Sequence, residues 1–170
     1  MSDLAQYRPA ERFSGLADLY SRHRPTYPAA ALDLIQARCG LGPGALLVDV
    51  GCGTGISTRL FAARGARVIG IEPNDDMRAR AEAAPAPAGA PAPEYRKGTA
   101  EATGLPDGCA AAVLAAQAFH WFDAPAALRE FRRILRPGGH VALVWNERDE
   151  SDACTAAYGA VVRTGTDAAP

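Results

Sequence analysis

LLVDVGCGTGIST, residues 46–58, predicts a buried strand, a glycine turn and the start of a helix. The strand part is mostly Leu and Val, a composition typical of a parallel strand that is covered on both faces. Gly51, Gly53 and Gly55 follow at alternate positions, and glycine adopts backbone conformations that side chains forbid. Asp49 interrupts the apolar run, and a carboxylate there needs a hydrogen-bonding or positively charged partner. We therefore expect a ligand to lie against exposed main chain at this turn.

The spacing of the glycines separates this turn from two better-known glycine loops. A phosphate-binding P-loop requires Gly-Lys-Ser/Thr, and the stretch contains no lysine. A dinucleotide-binding turn reads G-x-G-x-x-G, but Ile56 stands where its third glycine would be. The next predicted strand, RVIGIE, ends at Glu72, about twenty residues after the turn, where such folds place an acceptor for ribose hydroxyls. These features favour a nucleoside ligand without a pyrophosphate and argue against a nicotinamide-dependent dehydrogenase.

Four stretches together resemble the class I S-adenosylmethionine-dependent methyltransferases, in the branch called type 11 methyltransferase domains. VDVGCGTG (48–55) matches the first family motif, with the acid after the second strand. GTAEATGLPDG (98–108), AQAFHWFD (116–123) and LRPGGHVALVWN (135–146) follow in the family's order. The resemblance implies an α/β, Rossmann-like open sheet with strand order 3-2-1-4-5 and helices on both faces. It also implies methyl transfer from S-adenosylmethionine to a small-molecule acceptor, with S-adenosylhomocysteine as the product.

The resemblance also suggests which residues bind the cofactor. Glu72 would accept hydrogen bonds from the ribose hydroxyls, and Gly51, Gly53 and Gly55 would let the ligand approach the backbone. Asp49 would support the turn or bind the amino group. The further candidates that the family's motifs suggest are Tyr20, Arg24, Cys52, Thr54, Asn74, Met77, Ala100 and Glu101. Gln117 and Ala118 are candidates because they stand at the carboxyl end of the predicted fourth strand.

Several of these candidates have a structural alternative. Tyr20 and Arg24 would contact the methionine carboxylate of the cofactor. Alternatively, Tyr20 packs within the protein and Arg24 is solvated. Met77 is either a wall of the adenine site or ordinary core, and Glu101 either faces the adenine amine or lies on the surface. Cys52 fits better as a small residue in a tight turn than as a reactive thiol.

The rest of the chain predicts alternating helices and strands. The predicted strands span residues 46–50, 67–72, 94–97, 111–117 and 141–145, and the predicted helices span 28–39, 56–64, 74–81, 124–135 and 155–163. Ligands bind beyond the carboxyl ends of parallel strands, so FHWF (119–122) is expected near the site. Within it we expect His120 at the site, as a general base if the acceptor needs one, and Trp121 and Phe122 in packing.

The helix after Asp123 has an apolar and a basic side. Asp123 is the expected cap, and Pro137-Gly138-Gly139 the expected stop. The predicted buried stripe consists of Leu128, Phe131, Ile134 and Leu135. The basic side consists of Arg129, Arg132, Arg133 and Arg136, and a solvated face explains it better than a nucleic-acid patch.

Bulk properties exclude several functional classes. The chain has 170 residues, 48% of them hydrophobic, and a formal net charge of -1, which fits one soluble domain without a general attraction to nucleic acid or membranes. The amino terminus lacks the apolar core of a signal peptide, so we expect a cytoplasmic protein. The four cysteines and three histidines have no metal-site spacing, so no metal is expected.

We expect residues 1–150 to form a single methyltransferase domain, with residues 1–27 as a lid over the cofactor. Residues 151–170 are expected to be a truncated, partly disordered segment. The family's final antiparallel hairpin has no sequence here, so strand five would have an exposed edge that a homodimer could cover. The alternative function is therefore a cofactor-binding module or subunit with little or no turnover.

Overall fold

The computed structural model of the chain describes residues 26–147, 149 and 151–166. Five parallel strands form one sheet in the order β3-β2-β1-β4-β5. The strands are β1 (Leu46–Val50), β2 (Arg67–Ile71), β3 (Glu94–Arg96), β4 (Ala110–Ala116) and β5 (Leu135–Val144). The helices are α1 (Ala29–Arg38), α2 (Ile56–Ala62), α3 (Asp75–Ala83), α4 (Ala124–Ile134) and α5 (Ala153–Thr166), with a 3-10 turn at Phe119–Trp121. The predicted fold class and strand order are confirmed.

β1 lies at the centre of the sheet because its apolar side chains alternate between two covered faces. One face of the sheet packs against α1 and α2 through a cluster that contains Leu47 and Phe61. The opposite face packs against α4 through a cluster that contains Val48 and Phe131. The carboxyl ends of β1, β2 and β4 therefore meet at one edge of the sheet, where the predicted site residues follow them.

The buried stripe of α4 differs from the predicted one. Leu128 is 46% exposed, whereas Ala127, Phe131 and Ile134 are fully buried. The helical repeat explains the error: these three residues share a face, and Leu128 lies one residue off it. Leu135 is half-buried and begins β5 rather than ending the helix.

Two further features of α4 follow or depart from expectation. Asp123 occupies the N-cap position, but its side chain makes no capping hydrogen bond. Arg129, Arg132 and Arg136 are exposed, as a solvated face requires.

β5 begins earlier than predicted. Leu135 pairs with Ala110, and His140 pairs with Ala112, so the Pro-Gly-Gly segment bulges within the strand instead of separating helix from strand. Gly138 has a φ of +76°, which fits the bulge. Past the bulge, Trp145 is 43% exposed and Val141 and Leu143 are 38% exposed each, so this face of β5 is open to solvent.

The domain boundaries stay a prediction, because much of both ends of the chain lies outside the described residues. α5 is longer than the predicted helix at 155–163. The predicted lid lies almost entirely outside the described residues, as does the end of the chain after Thr166. In the described part of the chain, no helix has both the length and the apolar character needed to cross a membrane.

Candidate functional site

The glycine turn exposes main chain at one of its three glycines. Gly51, Gly53 and Gly55 have φ angles of +68°, +56° and +74°, so all three need the left-handed region. A Cβ on Gly51 would lie 2.7 Å from the Cβ of Ala118, and a Cβ on Gly55 would overlap Tyr95. A Cβ on Gly53 would meet no described atom within 4 Å. Open space for a ligand therefore lies over Gly53, while the other two glycines admit close packing.

Asp49 is a fully buried carboxylate with one oxygen left over. Its Oδ2 accepts hydrogen bonds from Ser57 Oγ and Thr58 Oγ1, both at 2.7 Å. Its Oδ1 is also buried and has no hydrogen-bond partner among the described residues. Burial raises the pKa of Asp49, and the two hydroxyls oppose that rise. Asp49 thus anchors the first turn of α2 and keeps an acceptor available.

Glu72 follows β2 and ties its end to the glycine turn. Its Oε2 accepts the amide of Gly53 at 2.9 Å, and its Oε1 accepts the amide of Asn74 at 3.0 Å. Asn74 in turn caps α3 through the amide of Met77, as predicted. Burial is the main cause of the raised pKa of Glu72. Each carboxylate oxygen still has a further acceptor position, which a ligand hydroxyl can use.

Gln117 directly follows β4 and has a strained backbone conformation. Its φ of +57° is the one positive value at a non-glycine residue within the described ranges. Its Nε2 is buried and has no partner in that part of the chain. Such strain concentrates at functional sites. Ala118 is buried against Gly51, whereas His120 is exposed.

These segments lie within a sequence match to a known family. A family model described as a methyltransferase domain matches residues 48–143, from β1 into β5. The chain belongs to the class I S-adenosylmethionine-dependent methyltransferases. The resemblance carried by the four sequence motifs is therefore confirmed.

Relatives of this methyltransferase domain are longer proteins. An uncharacterized methyltransferase of Mycobacterium tuberculosis is 37% identical over 138 residues, which are 81% of this chain and 53% of that protein. A malonyl-(acyl-carrier protein) O-methyltransferase of Serratia marcescens is 35% identical over 131 residues, 73% of this chain and 49% of that protein. The chain thus spans about half the length of the curated relatives it matches.

A solved structure agrees with the fold. The crystal structure of an S-adenosylmethionine dependent methyltransferase from Mesorhizobium loti superposes with a TM-score of 0.57 at 28% identity. The superposition covers 68% of this chain and 53% of the Mesorhizobium loti chain.

The residues of the methyltransferase domain fit the cofactor that the family implies. The ligand has a cationic amino group and a sulfonium, and Asp49 offers it an unpartnered buried oxygen. Glu72 is held by two backbone amides beside Gly53, where the main chain is open. Within the described residues, no group of three or more His, Cys, Asp or Glu side chains could hold a metal ion.

The other predicted site residues fall into three groups. Ala100 and Met77 are buried, and so are Cys52 and Thr54 of the glycine turn. Glu101 Oε1 accepts a hydrogen bond from the amide of Asp123 at 3.0 Å. The sequence predicts Glu101 either at the adenine or on the surface, and does not predict this contact. Tyr20 and Arg24 lie outside the described residues.

Cys52 has the properties of a packed thiol. Burial raises its pKa well above the ordinary value, and the charges of Asp49 and Glu72 raise it further. The thiol is therefore protonated and unreactive at neutral pH, in agreement with the interpretation of Cys52 as a small residue in a tight turn.

Sequence reasoning missed three residues that shape the site. Ser57 and Thr58 bind Asp49, and their hydroxyls directly after the glycine turn were the available signal. Tyr95 on β3 covers the positions where Gly55 and Gly70 would carry side chains. Nothing in the local sequence signals that contact, because β3 is distant in the chain.

Proposed function

We propose that this domain transfers a methyl group from S-adenosylmethionine to a small-molecule acceptor. The observation that carries the proposal is the unpartnered Oδ1 of Asp49, buried at the base of the glycine turn. A buried carboxylate oxygen without a donor is costly unless a ligand supplies one. We assign it to the amino group of the cofactor.

Charge favours this ligand over a dinucleotide. Asp49 and Glu72 are both buried, and the charge of Asp49 adds to the rise in the pKa of Glu72. A pyrophosphate near these carboxylates would add repulsion, whereas an ammonium or a sulfonium would relieve it. The electrostatics of the pair therefore support the preference that the glycine spacing indicated.

The remaining contacts follow from the free donors and acceptors. Glu72 would accept the ribose hydroxyls with its unused acceptor positions, while the open main chain at Gly53 lies beside the sugar. Gln117 would donate its Nε2 hydrogens to the ligand. Ala100 and Met77 would flank the adenine. Binding of the ligand's carboxylate by Tyr20 and Arg24, within a lid of residues 1–27, stays a prediction.

The domain needs no protein nucleophile for this reaction. When bound, S-adenosylmethionine supplies an electrophilic methyl group, and S-adenosylhomocysteine is left after transfer. The residues contribute orientation and exclusion of water, and orientation alone can lower a barrier by about 7 kcal/mol or more. His120 is exposed next to the β4 end and would take a proton from an acceptor that must lose one.

A cofactor-binding module with little or no turnover is the second candidate. The exposed face of β5 favours it, because Val141, Leu143 and Trp145 leave that end of the sheet incompletely covered. We propose that a second copy covers this region in a homodimer. Size-exclusion chromatography with light scattering tests the dimer: a monomer over the micromolar range would contradict it.

Calorimetry and a transfer assay separate the two functions. S-adenosylhomocysteine and S-adenosylmethionine are titrated into the protein, with NAD as the competing candidate. Methyl transfer is then followed on a panel of small carboxylates and hydroxyl compounds. Binding with transfer supports the enzyme, binding without transfer on any acceptor supports the module, and binding of NAD alone would refute both.

A further inference from the structure

The connection between β3 and β4, residues 97–109, contains no helix or strand. Its side chains are nonetheless packed: Ala100 is 3% exposed, Thr103 2% and Leu105 4%. Loops without internal backbone ladders depend on other contacts to hold one position. The contacts made by Thr103, the most buried of the three, therefore help to fix where this loop lies.

Thr103 is fastened to a carboxylate on α4. Its amide and its Oγ1 both donate to Glu130 Oε1, at 2.9 Å and 2.6 Å. Glu130 is 9% exposed, although it belongs to a residue type that is rarely buried. The Oγ1 of Thr103 also accepts the amide of Leu105 at 3.3 Å. At Thr103 the loop thus binds α4 through a side-chain and a backbone donor, and at Gly108 its amide donates to the carbonyl of Arg133 at 2.9 Å.

Arg133 holds the carboxylate in place for this contact. Its Nε donates to Glu130 Oε2 at 2.8 Å, and its Nη2 donates to Oε1 at 2.7 Å. Such a two-point pair fixes the orientation of a carboxylate as well as its charge. Its Nη1 lies 2.5 Å from Asp107 on the same loop. Glu130 is therefore presented to Thr103 in a fixed orientation.

A second contact joins the loop to the segment after β4. Glu101 Oε1 accepts the amide of Asp123 at 3.0 Å. Directly before Thr103 the chain turns tightly, with Thr99 and Ala102 exchanging backbone hydrogen bonds at 3.2 Å and 3.3 Å. Ala100 lies in that turn, next to Glu101 and three residues before Thr103.

We propose that Glu130 is a positioning residue for cofactor binding: through Thr103 it holds Ala100 and Glu101 where the loop forms the adenine side of the site. This inference depends on the proposed function, since the ligand is S-adenosylmethionine or its product. When the contact is lost, the loop samples other positions, and the apparent affinity falls by the fraction of molecules in the competent one. The contacts proposed for the methionine part of the ligand do not depend on this loop.

Thr103→Val tests the inference, because valine keeps the shape of threonine and removes the Oγ1 that donates to Glu130 and accepts from the Leu105 amide, while the backbone bond from Thr103 to Glu130 remains. We expect the dissociation constant of S-adenosylhomocysteine to rise about tenfold, the effect of a lost hydrogen bond to a charged group. Thr103→Ser restores the donor and should restore binding. Glu130→Gln is the second variant, in case valine impairs folding, and should weaken binding in the same direction.

Asp107→Asn is the matched control. It removes another partner of the same arginine, at an exposed position, and leaves the Thr103–Glu130 contact in place. We expect its dissociation constant to stay within about twofold of wild type, since exposed ion pairs contribute little. Hydrogen exchange should speed up in residues 98–105 of Thr103→Val and slow again at saturating S-adenosylhomocysteine.

The possible failures are distinguishable. If wild type does not bind S-adenosylhomocysteine, the proposed function is wrong, and the inference falls with it. If wild type binds and Thr103→Val binds equally well despite faster exchange in the loop, the contact is only structural and the inference is overturned. A rise in the acceptor KM with an unchanged cofactor affinity would overturn it as well.

Discussion

Asp49→Asn should stabilise the protein and weaken cofactor binding at the same time. The carboxylate is fully buried, and its Oδ1 has no partner within the described part of the chain. Asparagine has the same shape, and its carbonyl oxygen can still accept from Ser57 and Thr58. The substitution therefore removes the charge and puts the amide Nδ2 in the place of the unpartnered Oδ1.

The size of the stabilisation depends on pH. Burial raises the pKa of Asp49 above its unfolded value of about 3.9, so the folded state binds the proton more tightly. The free energy of unfolding of the wild type therefore falls as the pH rises through the pKa that Asp49 has in the folded state. The variant has no carboxyl group at this position, so its free energy of unfolding does not show this decrease. Below about pH 4 the two proteins should differ by less than about 0.5 kcal/mol. At pH 8 the variant should be more stable by about 1–3 kcal/mol, because it buries a neutral amide where wild type buries a charged carboxylate.

Urea unfolding from pH 4 to pH 8 and calorimetry with S-adenosylhomocysteine measure the two effects. We expect affinity to fall by about 1.5–3 kcal/mol, the usual contribution of a hydrogen bond to a charged group. Asp33→Asn, at an exposed carboxylate paired with Arg64, is the control and should change neither quantity beyond about 0.5 kcal/mol. A destabilised Asp49→Asn with unchanged affinity would refute the reasoning.

Three further substitutions test neighbouring parts of the argument. Glu72→Ala should weaken S-adenosylhomocysteine binding by about 1–3 kcal/mol by calorimetry, and unchanged affinity would remove Glu72 from the site. Gly53→Val should abolish binding by filling the open space over the turn; Gly65→Val, also at a positive φ without nearby atoms, measures the strain alone and should bind normally. The Arg133 guanidinium lowers the pKa of Glu130 to about 2, so its contribution to stability is complete above about pH 4.3 and is lost as the pH falls toward 2. Glu130→Gln should accordingly cost about 1–3 kcal/mol in urea unfolding at pH 7 and progressively less below pH 4, and a constant difference would contradict this.

The strand, turn and acid of the site could be predicted because each has a local signal. A short run of Leu and Val marks β1, the glycine spacing marks the turn, and Glu72 ends the next apolar run. Parallel strands then bring these segments to one edge of the sheet without further information. The carboxyl end of the predicted fourth strand indicated Gln117, and the family motifs supplied most of the rest of the predicted site.

The errors occurred where a distant contact decides the outcome. Leu128 is exposed because the phase of α4 is set by Ala127 and Phe131 against the sheet, and apolar character alone does not give that phase. Glu130 is buried because Thr103 and Arg133 satisfy its carboxylate. The partner Thr103 lies 27 positions earlier, beyond the reach of any helical periodicity.

The two buried carboxylates, Asp49 and Glu72, do not maximise the stability of the unliganded protein. Neutral side chains at these positions would avoid the cost of burying two carboxylates, and the raised pKa values of both groups show that cost. Stability alone therefore does not explain the pair, since Ser57 and Thr58 would bind an amide oxygen as readily. A cation at the free oxygen of Asp49 would satisfy that carboxylate only in the complex, whereas Glu72 already accepts two backbone amides and would gain the ligand hydroxyls in addition. The unliganded fold is then less stable than its shape permits, and binding recovers the difference.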